Sequence, residues 1–184
     1  MEKNKAAILV VDMLNDFVTG ALKCDRGLAV VPNIAKLLQG ARKAGVSVIF
    51  CNDAHVKGID RELKLWGEHA IAGTKGAEVI PELGVCERDH IVPKRRYSGF
   101  FHTDLDLLLK ELGVDTVILT GLHTHMCVRH TAADAFCLGY NVVVAADGTD
   151  AFTEEDYTSG LAYLKAVYGA EICSVSELLA RFGD

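Results

Sequence analysis

The sequence has no C-x-x-C pair, no phosphate-binding loop and no long apolar run, and each absence removes a class of function. The six cysteines, Cys24, Cys51, Cys86, Cys127, Cys137 and Cys173, are scattered along the chain, so a zinc ribbon or a dithiol redox motif is not expected. Neither G-x-x-x-x-G-K-[ST] nor G-x-G-x-x-G occurs, which argues against a nucleotide cofactor. No stretch approaches the ~20 apolar residues of a membrane helix. Positive charge is short: 19 Lys and Arg stand against 25 Asp and Glu, for a formal charge of −6. A nucleic-acid surface needs the opposite balance, and an anionic membrane surface is disfavoured too. The opening MEKNKAAILVVD has only a short apolar run before an acid, unlike a secretory leader. We therefore expect a cytoplasmic chain with reduced thiols, most of them acting as small core residues.

What is present points to one compact domain over residues 1–184. Half of the residues are hydrophobic, with 17 Gly and only 3 Pro, enough to bury a core and to make many tight turns. Apolar, β-branched runs at 6–11, 46–52, 90–92, 116–120, 142–146 and around Ile172 lack polar alternation and read as buried strands. Between them lie stretches of helical period at 31–44, 103–112, 128–138 and 154–167, with a last helix at 175–181. Leu105, Leu108, Leu109 and Leu112 mark one buried helix face. Gly45, Gly113, Gly139 and Gly169 follow helical runs as C-terminal caps do. Strands alternating with helices predict an α/β fold: a doubly wound, mostly parallel six-stranded sheet with helices on both faces. Ligands in such sheets bind beyond the carboxyl ends of the strands. The segment 53–81 has little regular pattern, and a loop of that length is usually functional or partly helical.

Reactive side chains collect at those carboxyl ends. Asp12 ends the first run, Asp53 and His55 follow the second, Lys94 the third, and Cys127 the fourth, where it opens a helix. A thiol at a helix N-terminus feels the positive end of the dipole, which favours thiolate, and free N–H groups there suit an oxyanion. Each residue also has a plainer reading. Cys127 is equally a small buried side chain, Asp12 a turn residue, and Lys94 part of a solvated Lys94–Arg95–Arg96 cluster. Together they make chemical sense: the carboxylate takes the thiol proton and passes it to a leaving amine, and the ammonium holds both anions. A phosphotransfer enzyme fits poorly, because D-x-D would need an acid where Leu14 stands. A binding module that has lost its chemistry would not be expected to keep all three groups.

Asp53 and His55 are two apart, so in extended chain they point to the same side, and His69 follows in the irregular segment. Two imidazoles and a carboxylate make an open site for one divalent ion, Zn²⁺, Fe²⁺ or Mn²⁺. The alternative is that His69 hydrogen-bonds within its loop.

These pieces, in this order, resemble the isochorismatase-like cysteine hydrolases. The matching segments are VVDMLNDF, the D-x-H of Asp53–His55, the W-x-x-H of Trp66–His69, GTKGAE, YSGF, HTDL and GLHTHMCVRHTAADA, which together span nearly the whole chain. The resemblance is nearest to N-carbamoylsarcosine amidase and nicotinamidase-related members. It implies a triad of Asp12, Lys94 and Cys127, and an oxyanion hole from the backbone N–H groups of His123 and Cys127. It also implies a cis peptide at Leu122–His123. The implied reaction cuts a C–N bond of a small amide or carbamoyl substrate through a thioester, releasing ammonia. Cleavage of a vinyl ether is the alternative within the family, and amides are preferred because of the D-x-H and W-x-x-H set. Nicotinamidases use that set, here Asp53, His55 and His69, to hold a metal, and the match implies that Trp66 and Phe17 flank a flat substrate. Tyr97 is a further candidate for the substrate pocket, as is Phe100, whereas Arg129 and His130 read as packing or subunit-contact residues. Relatives are often dimers or tetramers, so a homodimer or homotetramer is expected. One departure stands out: His123 and His125 occupy positions where relatives usually carry smaller or other polar residues. That leaves the substrate open and raises a Cys–His pairing as a rival to the triad.

Overall fold

The computed structural model describes residues 2–183, so the terminal residues of the expected 1–184 domain lie outside it. In chain order the elements are β1 (Ala6–Val11), α1 (Asn15–Val18), α2 (Asp25–Ala44), β2 (Ser47–Asp53), α3 (Leu63–Trp66), β3 (His90–Lys94), α4 (Leu105–Glu111), β4 (Thr116–Leu122), α5 (Arg129–Cys137), β5 (Asn141–Asp150), α6 (Glu154–Tyr168), β6 (Glu171–Cys173) and α7 (Val175–Gly183). The six strands form one all-parallel sheet in the order β3-β2-β1-β4-β5-β6. The order reverses between β1 and β4, the place where a crevice opens in a doubly wound sheet.

Two hydrophobic clusters cover the two faces, and β1 shows how. All six of its residues are buried. Ala6, Ile8 and Val10 pack with Val31, Ile34, Leu37 and Leu38 of α2 and with Leu178 and Phe182 of α7. Ala7, Leu9 and Val11 pack on the other side with Leu105 and Leu109 of α4, Ala132 of α5 and Leu164 of α6. Alternate side chains of a strand point to opposite faces, so a strand sandwiched between helix layers is apolar at every position. Burying each large side chain there contributes about 1.5–3 kcal/mol.

The expected elements are present, with shifted ends. The second helix was expected from residue 31 but starts at Asp25 and runs through Pro32. Pro32 lies on the exposed side of the helix, and the carbonyl four residues earlier belongs to exposed Leu28, so water can take the bond the proline cannot make. The glycines expected as caps at 45, 113, 139 and 169 all have positive φ. The third strand reaches two residues further than expected, so Lys94 belongs to the strand itself. The irregular segment holds α3 and short 3₁₀ turns at Lys75–Ala77 and Pro81–Leu83. Among the described residues no helix is long and apolar enough to cross a membrane.

Candidate active site

The carboxyl edge of β3, β2 and β1 brings three charges into one row. Lys94 is the register partner of Asp53 at the ends of β3 and β2, and Asp12 follows the last residue of β1. Asp12 has φ of 52°, which turns its side chain back across the edge, where Oδ1 accepts the Asp53 N–H at 2.8 Å. The Lys94 ammonium, fully buried, stands 2.7 Å from Asp12 Oδ2 and donates to Asp53 Oδ1 at 2.7 Å. From the other side of the switch point β4 delivers Cys127. Gly121 makes the approach close: a Cβ there would meet the Val11 backbone nitrogen at 2.8 Å. Cys127 Sγ and carboxylate oxygens of Asp12 and Asp53 all lie within 4.8 Å of one another.

Cys127 does not sit on the first position of a regular helix, as expected, but within one π-helical turn, Thr124–Val128, that leads into α5. The His123 carbonyl accepts from the N–H groups of Met126 at 2.9 Å and Val128 at 3.2 Å, and the intervening Cys127 amide does not bond to it. Leu122–His123 is a cis peptide, as the resemblance implied.

Electrostatics correct one expectation. A dipole-lowered thiol was anticipated, but burial pushes the Cys127 thiol well up; Lys94 pulls it down, while Asp12 and Asp53 push it up again. The two carboxylates that flank the ammonium act on the sulfur with the opposite sign and offset its pull. Burial, reinforced by Asp53 and opposed by Lys94, raises Asp12 to about 6. Burial would raise Asp53 as well, but Lys94 and His55 more than offset it and hold Asp53 below the ordinary carboxylate range.

Beside this row stands the second candidate cluster. Ligand atoms of Asp53, His55 and His69 lie within 4.8 Å of one another, all three residues buried. His69 Nδ1 bonds the Gly67 carbonyl at 2.9 Å, the loop bond anticipated as an alternative, and its other nitrogen remains for a ligand. Two further acids join them that nothing in the sequence set apart. Asp60 Oδ2 meets His55 Nδ1 at 3.1 Å and accepts the Val56 N–H at 2.9 Å, and the carboxylate also takes the Arg95 guanidinium. That bond holds a proton on Nδ1 and aims Nε2 at Asp53 and Glu62. Glu62 is raised to about 7 by burial, then by Asp53. Both His55 Nε2 and Glu62 Oε1 are buried without a hydrogen-bond partner. The unpaired buried atoms of His55 and Glu62, beside the converging Asp53 and His69, fit a divalent cation.

The two clusters share a narrow cavity. Phe17, Trp66 and Tyr97, expected at the substrate, all line it, together with Asp53, His69, His123 and Cys127. Trp66 Nε1 donates to Tyr97 Oη at 3.1 Å. Leu22, Glu62, Met126 and Phe152 also line it and were not anticipated. Phe152 stacks on His123 with ring centroids 3.9 Å apart; it comes to the carboxyl edge because the fifth strand runs on to Asp150, past the expected end at 146. Phe100 packs instead against Tyr140. The Arg129 guanidinium covers the Tyr163 ring, and His130 bonds the Met126 carbonyl. The Cys–His rival finds no support: neither nitrogen of His123 has a partner, and His125 faces Asp156.

The comparisons with known proteins agree with this fold. A family model described as the isochorismatase domain matches residues 6–177. An isochorismatase-like hydrolase from Alkaliphilus metalliredigens superposes with a TM-score of 0.92 at 41% identity, covering 97% of this chain and 99% of that one. N-carbamoylsarcosine amidase from Thermoplasma acidophilum superposes with a TM-score of 0.87 at 37% identity, covering 93% and 96%. A pyrazinamidase of Pyrococcus horikoshii, solved in complex with zinc, gives 0.86 at 30% identity, covering 92% and 99%.

Proposed function

The chain belongs to the isochorismatase family of hydrolases, and on that premise we propose that it is a cysteine amidohydrolase. In this reading it cuts the C–N bond of a small, neutral amide or carbamoyl compound and releases ammonia. The observation that carries the proposal is the meeting of Cys127 Sγ with the Asp12 carboxylate beside a fully buried Lys94. A thiol held neutral by burial needs a base at hand at the moment of attack. Asp12, poised at about 6, is ionised at neutral pH and basic enough to take the proton.

The steps follow from that pair. Asp12 accepts the Cys127 proton as sulfur bonds to the carbonyl carbon. The oxygen gathers negative charge at the backbone N–H groups of His123 and Cys127. Collapse breaks the C–N bond, and the departing nitrogen takes the proton from Asp12, leaving as ammonia. Water then gives a proton to Asp12 while its oxygen attacks the thioester, and the acid and free thiol form as Asp12 returns the proton to sulfur. Lys94 keeps Asp12 charged between these transfers.

Asp53, His55, His69 and Glu62 are the groups that would hold a divalent metal. Such an ion, when bound, supplies a Lewis-acidic anchor for a substrate heteroatom. The cavity walls support a neutral, flat substrate over an anionic one. Phe17, Trp66 and Phe152 offer ring faces and edges, and the buried cation is already shared between two carboxylates.

The test is ammonia release from the neutral amide nicotinamide, with the anionic N-carbamoylsarcosine and ureido acids for comparison, in wild type beside Cys127→Ala. Release that disappears in the variant supports the proposal. Equal release from both proteins, or none from any substrate, counts against it.

A further inference from the structure

His123 is the one reactive side chain at the cavity that the mechanism does not use. Its backbone is assigned to the oxyanion, but its imidazole is 2% exposed and both ring nitrogens are buried without any partner. Buried polar groups are nearly always paired, and the pairings around it are already taken. Trp66 Nε1 is bonded to Tyr97, His69 Nδ1 to Gly67, and Lys94 to Asp12 and Asp53. The ring is held in place by Phe152, stacked 3.9 Å away, and by Phe17, edge-on at 6.2 Å. Burial, with His125 nearby, keeps it neutral, down to about 3. A neutral imidazole offers one N–H donor and one lone pair, so it suits an uncharged polar atom of either kind.

We propose that the His123 side chain is a specificity-determining residue that hydrogen-bonds a second polar atom of the substrate, one outside the scissile C–N bond. It therefore selects neutral amides carrying a ring nitrogen, a ureido group or a comparable heteroatom over hydrocarbon amides of the same outline. A site built to pair a buried polar group rejects the analogue that lacks the partner, because the group is then left unpaired. The inference rests on reading this cavity as an amidase site, and it assigns no role in proton transfer to the imidazole.

The experiment compares kcat/KM for nicotinamide and benzamide, which differ by one ring nitrogen, in wild type, His123→Phe, His123→Asn and His69→Ala. Phenylalanine keeps the stack on Phe152 and removes both hydrogen-bonding atoms. The expected result is a loss of about tenfold in the nicotinamide preference over benzamide, carried by KM, with partial recovery in His123→Asn. A preference that persists in His123→Phe but falls in His69→Ala assigns the heteroatom to the metal-ligand group and overturns the inference. A binding measurement separates this failure from failure of the proposed function. In full-length Cys127→Ala protein with ¹⁵N-labelled histidine, nicotinamide or pyrazinamide should move the His123 ring-nitrogen resonances, whether or not wild type releases ammonia. Resonances unmoved by both ligands overturn the inference.

Discussion

Replacing Asp12 by Asn should make the protein more stable while it abolishes turnover. Asp12, Asp53 and Lys94 form a buried group of net charge −1, and the Asp12 carboxyl is raised from 3.8 to about 6, first by burial and then by Asp53. A rise of about two units corresponds to about 3 kcal/mol by which folding disfavours the ionised form. Asparagine is close in shape to the protonated acid and leaves a neutral Lys94–Asp53 pair. A carboxyl with its folded pKa above the unfolded one binds more protons when folded, so wild-type stability falls as pH rises between about 3.8 and about 6. The variant lacks this titration. The two proteins should therefore have similar stability near pH 4, and the gap should open to about 3 kcal/mol in the variant's favour by pH 7.5. Urea unfolding of both proteins across that range, with a chelator present to remove metal linkage, measures it. A variant less stable than wild type at pH 7.5, or a gap that does not close toward acid, refutes the reasoning.

Three other outcomes follow. Because Asp12 must be ionised to take the thiol proton, kcat/KM should rise with pH through about 6 and level off above it; a flat profile from pH 5 to 7 would exclude Asp12 as the base. Asp60→Asn weakens the acceptor that holds the proton on His55 Nδ1, and should lower zinc affinity by about 10–100-fold, read by calorimetry with the fold checked by circular dichroism; unchanged affinity would show that His55 orients without it. Leu9→Ala removes a fully buried side chain from the layer between β1 and α4–α6 and should cost about 2–5 kcal/mol in urea unfolding, with kcat in the surviving folded protein little changed.

The alternation of apolar runs and helical stretches was enough to read the parallel sheet, because a strand covered on both faces is apolar at every residue. Local spacing also carried Asp12, Asp53, His55, Lys94 and Cys127 to the ends of their strands. Element ends were less legible: Pro32 looks like a helix boundary until its solvent-facing position is known. Asp60 and Glu62, inside the irregular segment, are indistinguishable in sequence from solvated surface acids. Only the folded loop turns one onto His55 and buries the other without a hydrogen bond to its Oε1.

What the sequence determined by itself was therefore the set of layers and the edge at which chemistry collects, since both depend on periodicity along the chain. The tertiary structure decided the charge states. The Cys127 thiol is raised first by burial, against the pull of Lys94, and then by Asp12 and Asp53, and these groups come from strands dozens of residues away. Long-range packing sets desolvation and the distances between charges, and neither is written in any local stretch of residues.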